Sequence, residues 1–107
     1  MASFDKREEG FERKFAHDAE LEFKATARRN KLLGLWAAEK MDLSGDEAEA
    51  YAGTVVVADL EEAGEEDVFR KIRKDFDEKN VDQSDHQIRR EMNNFMAIAI
   101  EQIENGE

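Results

Sequence analysis

Hydrophobic positions in this chain form one short leading stripe, then four longer stretches of helical period. Phe4, Phe11 and Phe15 open it. At about 100° per residue their spacing brings the three rings within roughly 40° of one another on a helix. Around them lies a dense mixed shell of charge, with Lys6, Arg7, Arg13 and Lys14 among Asp5, Glu8, Glu9 and Glu12. Carried forward, the same wheel shifts its apolar face by roughly 80°, onto Leu21, Ala25, Leu32 and Trp36. One rigid helix cannot bury both stripes in the same core. Residues 1–18 therefore read as a detachable arm, disordered when free, and residues 19–107 as the body that holds it. With Gly10 inside it and only three rings on its apolar face, the arm is too weak a helix to stand alone.

The body reads as four helices. AELEFKATARRNKLLGLWAAEKM, residues 19–41, is a long amphipathic segment in which Leu21, Ala25, Leu32, Leu35 and Trp36 share a face, with Lys24, Arg28 and Lys31 beside it. Gly34 inside it reads as a tolerated glycine costing about 1 kcal/mol, with close approach of a neighbour as the alternative. Ser44-Gly45-Asp46-Glu47 has the form of a capping box opening a second helix through Ala48, Tyr51, Ala52 and Val55. Val55-Val56-Val57 has strand character, but its alanine-rich surroundings favour helix. Gly64 is expected to supply a left-handed stop. A third helix carries Val68, Phe69, Ile72 and Phe76, ending on a left-handed Asn80 followed by an apolar Val81. A second box, Ser84-Asp85-His86-Gln87, starts the last helix, with Ile88, Met92, Phe95, Ala99 and Ile103 along one stripe. Short connections between helices predict an all-α fold, a four-helix bundle with a flexible N-terminal arm.

Composition narrows the function. The chain has 107 residues, enough for one small domain, and a formal net charge of −11. That acidity argues against binding nucleic acid or an anionic membrane and favours encounter with basic surfaces. There is no cysteine, so disulfides and thiolate metal sites are excluded. No apolar run is long enough to span a bilayer, and Asp5, Glu8 and Glu9 do not fit a signal peptide; direct membrane insertion is not expected and a cytoplasmic location is.

Candidate chemistry is sparse. The sequence holds no phosphate-cradling glycine loop, dinucleotide fingerprint or HExxH motif. His17 and His86 read as surface residues, with a pH-sensitive hinge as the sharper reading of His17. Asp75, Asp77 and Asp82 fail as a calcium loop, because Lys79 and Val81 fall at ligand positions. Lys24, Arg28 and Lys31, with Arg29 near them, concentrate positive charge in an acidic chain. They read either as ion-pair partners of neighbouring helices or as a weak anion or nucleotide site. Arg89, beside Arg90 at the start of the last helix where free amides favour anions, is a further candidate for that site.

FERKFAHDAELEFKATARRNKLLGLWAAEKM, LSGDEAEAYAGTVVVADLEE, GEEDVFRKIRKDF and VDQSDHQIRR, in that order along almost the whole chain, resemble the zeta subunit of alphaproteobacterial ATP synthases. The resemblance implies a four-helix bundle with an N-terminal inhibitory region. It implies a regulatory subunit, not an enzyme, that inhibits ATP hydrolysis by the catalytic head. The N-terminal segment then becomes helical at an alpha/beta catalytic interface near gamma and blocks rotation in the hydrolysis direction. Carried onto this chain, that segment is residues 2–18. Its partner-binding positions are Phe4, Phe11 and Phe15, with Lys6, Arg7, Arg13 and Lys14 as charged contacts. The expected partners are the alpha, beta and gamma subunits, the expected location is cytoplasmic and peripheral to the inner membrane through the synthase, and the free chain is expected to be monomeric. No cofactor is required, though weak ATP or ADP binding is compatible with the basic set. Two turns depart from the family pattern: Ala63 stands where proline is expected and Asn80 where glycine is common. The competing readings are a small nucleotide-binding regulatory domain and a generic protein-interaction adaptor.

Overall fold

The four helical stretches read from the hydrophobic pattern are helices in the computed structural model, which describes residues 19–61 and 64–106. The helices are α1 (Ala19–Lys40), α2 (Gly45–Glu61), α3 (Glu65–Glu78) and α4 (Asp85–Glu104). The fold is all-α, with no strand among the described residues, and Val55-Val56-Val57 lies within α2. The arm assigned to residues 1–18, including His17, lies outside the described residues.

The turns show why the chain breaks where it does. At the end of α1, Asp42 takes a left-handed φ of 63°. The Leu43 N–H then donates to the Ala38 carbonyl at 2.8 Å and the Asp42 N–H to Glu39 at 3.1 Å. At the end of α3, Asn80 does the same with φ 57°; the Val81 N–H reaches Phe76 at 2.9 Å and the Asn80 N–H reaches Asp77 at 3.3 Å. Both are Schellman closures, and in both the following apolar residue, Leu43 or Val81, packs onto the core. Asn80 thus does the work expected of it. At Ser84 the box forms: its hydroxyl accepts from the Gln87 N–H at 3.1 Å, and the Gln87 side chain accepts from the Ser84 N–H at 2.8 Å.

Two turns differ from expectation. α2 opens on Gly45 at a left-handed φ of 58°, and among the described residues Ser44 forms no bond to Glu47. Gly64 is not the left-handed stop of α2. It is the N-cap of α3, with φ 144° and no side-chain cap, a conformation that glycine reaches because it lacks a Cβ.

In the bundle each helix packs on its chain neighbours and α4 closes back on α1. Leu33 and Ala37 of α1, with Met41 just past its end, meet Val55 of α2, Val68, Ile72 and Phe76 of α3, and Ile88 and Met92 of α4. Trp36 lies against Phe76 with ring centroids 5.6 Å apart and planes 60° apart, an orientation aromatic pairs favour.

The buried face of α1 is rotated from the expected one. Leu21, Leu32, Leu35 and Trp36 are only half-buried. The fully buried line is Ala25, Arg29, Leu33, Ala37 and Met41, with Asn30, Gly34 and Ala38 beside it. Two polar residues and several small ones occupy this face, so hydrophobicity alone pointed to the bulkier side. Gly34 is also not merely tolerated. A Cβ there would fall 2.6 Å from the Ala52 Cα, so glycine is what lets α1 and α2 meet backbone to backbone.

Two predictions follow from the packing. Replacing an exposed helical glycine by alanine normally stabilises by about 0.5–1 kcal/mol. Gly53, with nothing within 4 Å of its virtual Cβ, should behave so in Gly53→Ala. Gly34→Ala should instead cost about 1–3 kcal/mol, since the α2 backbone must move away. Urea unfolding of the two variants checks this, and a stabilised Gly34→Ala protein would show the crossing to be loose. Ser84→Ala removes a reciprocal cap and should cost about 1 kcal/mol, a fall of several degrees in Tm by calorimetry for a domain of this size.

Candidate functional site

Helix α1 turns a basic edge outward along its middle turns. Lys24, Arg28 and Lys31 stand at helical spacing on that edge, and the structure gathers all three along one open groove of about 730 Å³. Its apolar wall comes from Phe23 and Ala27 of α1, Val56 of α2 and Ile103 near the end of α4, with Gly106 at its margin. Phe23 is 57% exposed, an unusual position for a large ring. The arrangement is a greasy floor with a cationic rim.

The rim residues are held differently. Lys24 lies 3.3 Å from Glu20 in an exposed i,i+4 pair. The Arg28 guanidinium donates to the Gln102 side chain of α4 at 3.4 Å, which ties the rim to the opposite wall. Lys31 is exposed.

Arg29 and Arg89, the other arginines weighed as anion ligands, do not line this groove. Arg29 is 1% exposed: its Nε donates to Asn30 Oδ1 at 2.8 Å and its Nη1 to Glu65 Oε1 at 3.2 Å, bridging α1 to the first residue of α3. The Asn30 Nδ2 finds no acceptor among the described residues. Arg89 donates to Glu66 at 2.9 Å and stacks over Phe69 with its Cζ 4.0 Å from the ring centroid. That hydrogen bond holds the Glu66 carboxyl below its ordinary value and raises Arg89 above its own. For these two arginines, ion pairing between helices is the arrangement that the structure contains. The cations on the groove are therefore Lys24, Arg28 and Lys31, while Arg89 reaches from α4 to the start of α3.

Other charged clusters are structural. Arg73 joins α3 to the start of α4 through the Gln83 carbonyl at 2.8 Å and Asp85 at 3.0 Å, and it is raised above its ordinary value chiefly by the Asp85 hydrogen bond. Tyr51 donates to Asp75 at 2.7 Å, and Lys71 donates to the same oxygen at 3.0 Å. Burial first, and that hydrogen bond second, pushes the Tyr51 phenol far above its ordinary value, so it stays protonated. Among the described residues no group of three or more His, Asp and Glu side chains is placed to hold a metal. No helix among them is long and apolar enough to cross a membrane.

Sequence reasoning missed the apolar half of the groove. Phe23, Ala27 and Lys31 fall at i, i+4 and i+8, a stripe visible in the sequence, but Phe23 lay off the face taken for the core. Val56 and Ile103 come from other helices and carry no local signal. The predicted contacts Phe4, Lys6, Arg7, Phe11, Arg13, Lys14 and Phe15 lie outside the described residues.

Comparison with known proteins agrees with this architecture. A protein whose structure was solved by solution NMR is 49% identical, with a TM-score of 0.71; the alignment covers 81% of this chain and 99% of the other. No match was found among curated proteins. The sequence profile of one family, described as ATPase inhibitor subunit zeta, matches residues 1–102, from the segment that precedes the helices to within the last turn of α4. A match over nearly the whole length, on an all-α body built as that resemblance requires, places the chain in the ATPase inhibitor subunit zeta family.

Proposed function

We propose that this chain restrains ATP hydrolysis by the catalytic head of an ATP synthase, and that residues 2–18 are the part that does so. The observation that carries the reading is that the family match begins at residue 1 and so takes in Phe4, Phe11 and Phe15. The segment becomes helical in an alpha/beta catalytic interface near gamma, its three rings buried there, with Lys6, Arg7, Arg13 and Lys14 as rim contacts. A helix of this length reaches roughly 26 Å at 1.5 Å per residue, long enough to enter a cleft between subunits. Rotation in the hydrolysis direction is then blocked sterically, and no residue of this chain takes part in chemistry. The protein works from the cytoplasmic side, peripheral to the inner membrane through the synthase, and is a monomer when free.

Magnitudes constrain how it binds. Burying three phenylalanine rings gives about 4–9 kcal/mol gross. Ordering the segment on binding costs about 2–5 kcal/mol or more. What remains is modest, so the bundle has to contribute contacts of its own.

A second reading is favoured by the placement of Lys24, Arg28 and Lys31 on one groove. Three cations at that spacing suit a polyphosphate, so weak ATP or ADP binding is a regulatory alternative. Titration of nucleotide into isotope-labelled protein checks it: saturable shifts at these three residues support it, and their absence at millimolar nucleotide removes it.

The central prediction concerns the arm. Phe11→Ala with Phe15→Ala should remove about 3–6 kcal/mol of burial, raising the half-inhibitory concentration by two to four powers of ten. The melting temperature should stay within about 2 °C of the parent if, as proposed, the rings act on the partner and not in the bundle core. Hydrolysis by a cognate synthase head, followed against inhibitor concentration, gives the first number and calorimetry the second. An unaltered inhibition curve, or a large fall in Tm, would refute the arm's role.

A further inference from the structure

The groove bearing Phe23 has features that inhibition by the arm does not use. We propose that it is the bundle's own docking surface, and that it receives an acidic, apolar-bearing surface of the synthase head beside the cleft that takes the arm. This rests on the reading above and names the part of the body that completes it.

Charge is the first argument. The chain carries a net charge of −11, so an acidic partner is repelled by most of its surface. Three arginines elsewhere are committed to carboxylates of other helices: Arg29 to Glu65, Arg73 to Asp85 and Arg89 to Glu66. Lys24, Arg28 and Lys31 line one groove together. The Lys24 pair with Glu20 is exposed on both sides, 60% and 77%, and such pairs exchange partners at little cost. An acidic surface is thus steered to this face in a defined orientation.

Apolar area is the second. Phe23, at 57% exposure, stands over Ala27, Val56 and Ile103. A half-exposed ring on an apolar floor, rimmed by charge, has the anatomy of an interface centre.

Position is the third. Phe23 and Lys24 lie one turn beyond Ala19, the first described residue of α1, so the groove stands within a turn of the point where the preceding chain joins the helix. A partner that grips residues 2–18 brings its adjoining surface against Phe23 and Lys24 with no further rearrangement.

The test uses the full chain and a cognate synthase head, with the dissociation constant measured at several salt concentrations. Lys24→Glu with Lys31→Glu, both at exposed positions, should weaken binding at least tenfold and flatten its salt dependence, with helicity and Tm unchanged. Phe23→Ser should weaken it by a similar factor while leaving the salt dependence in place. The Phe11→Ala, Phe15→Ala protein should lose inhibition yet keep measurable binding that the charge reversal then removes. Parent-like affinity and salt dependence in the charge-reversed protein would overturn the docking proposal and leave the arm's role standing. Conversely, inhibition that survives in the Phe11→Ala, Phe15→Ala protein sinks the arm reading, while groove docking stands if charge reversal still weakens binding. If ATP saturates the groove and charge reversal abolishes only that, the site is a nucleotide seat and the docking proposal fails. It fails equally if the arm substitutions alter the Phe23 environment in the free chain, since the arm itself is then the occupant.

Discussion

Gly34 faces Ala52 across the crossing of α1 and α2, where the two backbones come closer than any side chain would permit. The rest of the bundle is arranged around that approach. With α2 drawn in at this point, Val55 sits in the common core, and α3, which packs on α2, can bring Val68, Ile72 and Phe76 onto α1. Helix α4 closes the other side through Ile88 and Met92. Small residues on the same face, Ala37 and Ala38, keep α1 narrow over the following turn. Close-packed interiors do not absorb an added methyl at such a crossing without moving a whole helix.

The same buried face of α1 carries Arg29 and Asn30, an arrangement that costs stability. A charge taken out of water must be paired, and an unpaired buried amide N–H costs about 1–3 kcal/mol. Arg29 meets that demand by bonding Asn30 within its own helix and Glu65 at the start of α3. The arginine therefore acts as a tether between α1 and the first turn of α3, which follows Gly64 at φ 144°. Arg89 makes a parallel link from α4 to Glu66, one residue on. The first turn of α3 is in this way held by charge from two other helices, which compensates for an N-cap without a side-chain bond.

Charge elsewhere divides by the same rule. Arg29, Arg73 and Arg89 are tied to carboxylates on other helices, and the basic edge of α1 lines the open groove. That edge is where a very acidic body tolerates an acidic neighbour, and it adjoins the point from which the N-terminal segment departs. The proposed inhibitory segment and the proposed docking surface thus share one end of α1, so a single partner is within reach of both.

Much of this was legible from residue order. Helical period located all four helices, and local turn chemistry placed Asn80 in the left-handed region and the box at Ser84, because both depend on neighbours a few residues away. The cationic spacing of Lys24, Arg28 and Lys31 was equally local. Tertiary structure decided which side of α1 faces inward, because four helices in contact can bury polar residues that find partners and can demand glycine where backbones meet. It also separated Arg29 and Arg89 from the basic groove by giving each a carboxylate on another helix, and it supplied Val56 and Ile103 as the groove's far wall. Local pattern is set by interactions within a turn or two of the chain, whereas burial, pairing and grooves are properties of distant segments brought together.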